Sequence, residues 1–151
     1  MSPGPEPHPD YAGREIPRRV RLGAFTLTML TPADLDDDMA AIDESRAELE
    51  GIFGVPWPRG LTRAQDRADL ERHAAEFIHR IAFAWAIRDA AGAFLGCAYV
   101  RPDPGQRGKA RVAHWQRTSA AARAPEFAAL FHAWVSGPPW PRMEMALLSR
   151  P

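Results

Sequence analysis

The sequence predicts an α/β (α+β) domain: a mixed, mostly antiparallel sheet flanked by helices, in the order β-α-α-β-β-β-α-β. Three observations predict it. Residues 110–137 pass from a strand pattern through a small-residue loop into a helix pattern. Residues 83–100 read as a hairpin, and two helix starts precede it at Thr31 and Thr62.

In chain order, residues 1–18 read as a Pro-rich flexible tail, because Pro3, Pro5, Pro7 and Pro9 stand among polar residues. A single domain then occupies residues 19–151. Between Val20 and Leu30, Phe25, Leu27 and Met29 alternate with Thr26 and Thr28, which predicts one strand with one covered face. Thr31-Pro32-Ala33-Asp34 opens a helix: Thr31 caps it, Pro32 fits its first turn and Asp34 complements the dipole. Leu35, Met39, Ile42 and Leu49 mark its buried stripe. Asp36, Asp37 and Asp38 follow one another, so their side chains diverge and a solvated first turn is expected instead of a metal site.

Val55-Pro56-Trp57-Pro58 sets the path of a loop. Trp57 has two readings there, a wall of an acceptor pocket or a cover for the core edge. Thr62-Arg63-Ala64-Gln65 is a second capping box, for a helix to about Arg80 with Leu70, Ala74, Phe77, Ile78 and Ile81 as its apolar face. His73 and His79 lack the i, i+4 spacing of a metal pair. Phe83, Trp85 and Ile87, then residues 94–100, form the hairpin, and Gly96 predicts a bulge or a close backbone approach. Residues 110–117 are the central strand. Residues 125–136 are a helix with Phe127, Leu130, Phe131, Trp134 and Val135 at helical spacing, stopped by Gly137. Residues 143–148 are a last strand.

Composition narrows the function classes. At 151 residues, 46% hydrophobic and 25% charged, the chain suits one ordinary globular domain. Nineteen basic residues balance nineteen acidic ones, so no global charge draws it to nucleic acid or an anionic membrane. Cys97 is the single cysteine, which leaves no internal disulfide and no cysteine-based zinc cluster. No apolar run reaches the ~20 residues that span a bilayer, and no secretory leader is evident, so a cytoplasmic protein is expected.

The loop of residues 118–124 carries almost no side-chain bulk, and a helix N-terminus behind such a loop suits an anion. With the hairpin before it, this strand–loop–helix unit resembles the GCN5-related N-acetyltransferase (GNAT) superfamily. In that family the central strand leads to a loop running Arg or Gln, two residues, Gly, one residue, then Gly or Ala. Those positions fall here on Ser119, Ala122 and Ala124, of which Ala124 fits. The resemblance implies acetyl-CoA as cosubstrate, with the backbone of Trp115, Gln116 and Arg117 along the pantetheine arm. It places Ala122, Arg123 and Ala124 at the pyrophosphate. It further implies an amine acceptor, a small molecule or a protein N-terminus; from the aspartate run and the histidine spacing, no metal is expected. The family's closing helix and two final strands are expected to be absent, and with that helix goes the family's frequent tyrosine acid.

His114 and Tyr99 are therefore the candidate catalytic groups. His114 is the only imidazole on the central strand and has an intrinsic pKa near ~6.5, suited to a base. Tyr99 on the adjacent strand suits a donor to the leaving thiolate. Each has an alternative reading as a buried structural residue. Cys97 has no matched histidine–acid pair for nucleophilic work. The alternative to an enzyme is a non-catalytic binding or dimerisation module of the same fold. An open sheet edge after the last strand favours a homodimer.

Overall fold

A computed structural model describes residues 5–148. Six strands stand in one sheet in sequence order: β1 (Arg19–Leu22), β2 (Phe25–Met29), β3 (Phe83–Arg88), β4 (Phe94–Pro102), β5 (Lys109–Gln116) and β6 (Glu144–Leu148). Neighbours are antiparallel except β5 and β6, which run parallel. Helices α1 (Leu35–Leu49) and α2 (Arg63–Ile78) follow β2, and α3 (Ala124–Val135) makes the crossover from β5 to β6.

The expected first strand is a hairpin. Gly23, at φ 60°, opens a two-residue loop that lets Leu22 pair with Phe25. A glycine at the first loop position is the cheapest way to reach that conformation. Both helix starts are as expected. Thr31 caps a short 3-10 turn with Asp34 closing the box, and Thr62 with Gln65 does the same for α2.

Alternation along the strands sorts side chains into two layers. On the α3 side, Phe25, Leu27, Trp85, Val100 and Val112 pack with Phe127 and Phe131. On the other side, Ala84, Ala86, Cys97 and Trp115 meet Leu35, Ile42 and Leu49 of α1 and Leu70 of α2. Ile78, expected on the apolar face of α2, is 53% exposed because it stands in the last turn, beyond the sheet contact.

The N-terminal segment is docked where the composition predicts a flexible tail. Tyr11 is fully buried, packed on Phe83 and Trp140, and its hydroxyl meets Met143 Sδ at 2.7 Å. His8 Nε2 lies 2.8 and 3.0 Å from the carbonyls of Asp103 and Gln106, so this nitrogen carries the proton. Asp10 accepts from the Gly108 amide at 2.7 Å. Aromatic burial and satisfied polar groups outweigh the prolines' extended bias. Among the described residues, β6 is an edge strand, and on it Leu147 is 55% exposed.

Candidate functional site

The expected donor site lies on the last residues of β5. The described pairing ends at Ala113 with Leu148, and β5 continues through His114, Trp115 and Gln116. Gly96 makes the other side of this segment close. It pairs with Gln116, and a Cβ on it would lie 2.0 Å from the Trp115 carbonyl oxygen. The register of β3 and β4 also slips beside it, so the close approach and the irregularity expected at Gly96 coincide.

Beyond β5, residues Thr118–Arg123 form a 3-10 turn that runs into α3 at Ala124. Helix α1 holds its start. Ser45 Oγ accepts from the Thr118 amide at 2.9 Å, and Glu44 accepts from the Ser119 amide at 3.0 Å and from Arg117 Nε at 3.2 Å. The Ser119 amide and the Arg117 guanidinium hold the Glu44 carboxyl down at about 2, so it is a carboxylate. A fixed anion thus sits on the first part of the loop. Arg123 lies over the Phe25 ring at 4.6 Å, a cation–π contact, while Ala122 is exposed and Ala124 half-buried. At the phosphate end, the Ser119 amide donates to Glu44, the Ala120 amide to the Arg117 carbonyl and the Ala124 amide to the Ala121 carbonyl, and Pro125 has no N–H.

His114 and Tyr99 fall on opposite faces of the sheet. His114 faces α3, 5.3 Å from the Phe127 ring and 5.9 Å from His132. Burial, aided by His132, lowers its pKa to about 4. Gln116 shares that face, and neither atom of its side-chain amide has a partner among the described residues.

Tyr99 faces α1 and α2 and lines a cavity of about 290 Å³. Trp115 Nε1 donates to its hydroxyl at 2.9 Å, and burial keeps that hydroxyl protonated by raising its pKa well above normal. Phe53, Val55 and Trp57 form a wall, with Phe53 5.1 Å from Trp57 and 5.6 Å from Tyr99. Trp57 therefore joins the cavity lining. The His73 ring lies 5.6 Å from that of Tyr99, tilted by 42°, and burial lowers its pKa to about 3, so it is neutral.

The floor carries groups that the sequence reading passed over. Cys97 Sγ donates to Asp38 Oδ1 at 3.4 Å, and Asp38 is hydrogen-bonded to Asp66. Asp38 is 4% exposed and Asp66 3%. Burial pushes both carboxyls up, so the pair retains a proton at neutral pH. The solvated turn expected over Asp36–Asp38 holds for Asp36 and Asp37, which pair with Arg63 and Arg88. It fails for Asp38, whose helical phase with Leu35 and Ile42 turns it inward. That phase was the available signal, as was the i, i+4 relation of Asp66 to Leu70 on α2. No group of three or more His, Cys, Asp or Glu side chains among the described residues is arranged to hold a metal ion.

No family model matches the chain, and no curated protein matches its sequence. Solved structures do. A ribosomal-protein-S5-alanine acetyltransferase from Vibrio fischeri superposes with a TM-score of 0.63 at 11% identity, over 78% of this chain and 67% of the other. The ribosomal L7/L12 α-N-protein acetyltransferase RimL, in complex with coenzyme A, gives 0.64 at 13%, over 78% and 67%. The microcin C7 self-immunity acetyltransferase MccE, with acetyl-CoA and AMP, gives 0.65 at 12%, over 80% and 67%. The chain thus spans about two thirds of their length, and the likeness is one of fold.

Proposed function

We propose that this chain, which has the fold of the GCN5-related N-acetyltransferases, is an acyl-CoA-dependent N-acyltransferase that moves an acetyl group to an amine. One observation carries the reading. On the α1/α2 face of β5, beside Arg111 and Ala113, lies a cavity large enough for a small acceptor, and the described pairing with β6 ends at Ala113. Donor and acceptor would meet across one strand, and holding them so is the main contribution such a reaction needs.

The bond changes are simple. The neutral amine nitrogen attacks the thioester carbonyl, a C–N bond forms, the C–S bond breaks, and the sulfur leaves as thiolate. Tyr99 keeps its proton at neutral pH and is the hydroxyl on the acceptor side that can supply it to sulfur. The proton lost by nitrogen passes to water, and Tyr99 regains its own from water. His114 lies on the opposite face, so it supports the strand and does not share the pocket.

A second reading, a binding module without acyl transfer, is favoured by the Glu44 carboxylate on the Ser119 amide. The two part on one experiment. Acetyl-CoA and a panel of primary amines are incubated with the protein while free thiol and acetylated product are measured. The enzyme reading expects matched release of both, and a drop of about tenfold to a hundredfold in kcat for Tyr99→Phe. Thiol release no faster than the protein-free control, with every amine, would leave the module reading.

A further inference from the structure

We infer that the cavity above Cys97 binds a small arylalkyl amine, with its ammonium head on the Asp38–Asp66 pair and its apolar body against Phe53, Trp57 and Tyr99. As the acceptor site this rests on the acyltransferase reading; as a binding site it stands alone.

The pair is more than a buried acidic contact. Asp66 Oδ2 has no hydrogen-bond partner among the described residues, although Asp66 is 3% exposed and lines the cavity. A buried carboxyl oxygen without a partner is costly, and a donor delivered from the cavity relieves it. Burial is the main reason that the carboxyls stay protonated, and at Asp38 the neighbouring Asp66 adds to it. An ammonium group supplies a positive charge and its three donors, which lets one carboxyl ionise.

The charges at the mouth do not favour an anion. Arg72 pairs with Glu76 at 2.9 Å and Asp69 at 3.6 Å, Arg101 with Glu76 at 3.3 Å, and Arg111 with Asp103 at 3.8 Å. Each guanidinium already has a carboxylate.

Size and shape narrow the class. At about 30 Å³ per water-sized group, a cavity of about 290 Å³ holds on the order of ten heavy atoms. That suits one aromatic ring on a short chain, and is too small for a nucleotide. Phe53, Trp57 and Tyr99 offer rings to such a body.

The test uses the whole chain and three probes that share a phenylethyl body: β-phenylethylamine, phenylethanol and phenylpropionate. Trp57 and Trp115 are 6.0 Å apart at the site, so tryptophan fluorescence reads occupancy, with calorimetry as a second measure. The amine should bind about tenfold or more tighter than the alcohol, with the carboxylate weakest. Asp66→Asn should abolish the preference for amine while phenylethanol still binds, which separates lost recognition from lost folding. Equal binding of amine and alcohol, tightest binding of the carboxylate, no binding by any probe, or an intact preference in Asp66→Asn each overturns the inference. Amine binding without acetylation would sustain this site and refute the enzyme reading alone.

Discussion

Replacing Gly96 by alanine should separate β4 from β5 and destabilise the whole sheet. The new Cβ would lie 2.0 Å from the Trp115 carbonyl oxygen, 2.9 Å from its carbon and 2.8 Å from Gln116 Cα. All three are backbone atoms, so no side-chain rotation relieves the contact. The strands must part by about 1 Å to restore a normal separation. The Arg117 amide, 2.7 Å from the Leu95 carbonyl, is then drawn out of range. Losing about two ladder bonds at about 1 kcal/mol each, with about 1–3 kcal/mol of overpacking, costs about 3–5 kcal/mol. For a domain of this size that lowers Tm by about 10 °C. The assay is thermal unfolding by circular dichroism, with Gly13→Ala as control, since nothing lies within 4 Å of a Cβ there. A Gly96→Ala variant that melts within about 2 °C of the parent would refute the close approach and the register built on it.

Three further outcomes follow from the same structure. Tyr11→Ala removes a fully buried ring between Phe83 and Trp140 and should cost about 3–5 kcal/mol in urea unfolding; a loss below about 1 kcal/mol would mean the N-terminal segment is not docked. His114, with a folded pKa near 4 against 6.5 unfolded, binds fewer protons folded than unfolded between those values, so its contribution declines as pH falls through that window. Allowing for its partial exposure, His114→Gln should reduce the loss of stability from pH 7 to pH 5 by about 1 kcal/mol, and an unchanged slope would contradict the burial of the ring. Replacing Leu147 by lysine should lower any self-association through the β6 edge, read by sedimentation; a parent that stays monomeric at micromolar concentration argues against the dimer.

Much of the architecture could be read from the chain because local signals agreed with the final packing. The change from alternating to helical period across residues 110–137 defines β5 and α3, and the two threonine boxes define the starts of α1 and α2. The first hairpin was less legible, since the Thr-spaced alternation runs almost unbroken and only Gly23 marks the turn. The N-terminal segment misled by composition: its prolines are what the eye counts, whereas Tyr11 and Ile16 are what the core buries. The candidate site was legible only in part. Trp115 and Tyr99 could be placed on adjacent strands, but three aspartates in a row hide that one of them continues the apolar stripe. Glu44 on the Ser119 amide is a contact between residues 75 apart, and no local pattern announces such a pair.

The central claim is that this fold holds an acyl-CoA donor along β5 and at the loop before α3. Calorimetric titration of the full chain with acetyl-CoA, beside the Glu44→Gln variant, tests it most directly. The account predicts a saturable heat at one equivalent per chain, with a Kd on the order of micromolar, and tighter binding once the Glu44 charge is removed from the loop. A flat titration at millimolar acetyl-CoA in both proteins, with each still folded, would contradict it.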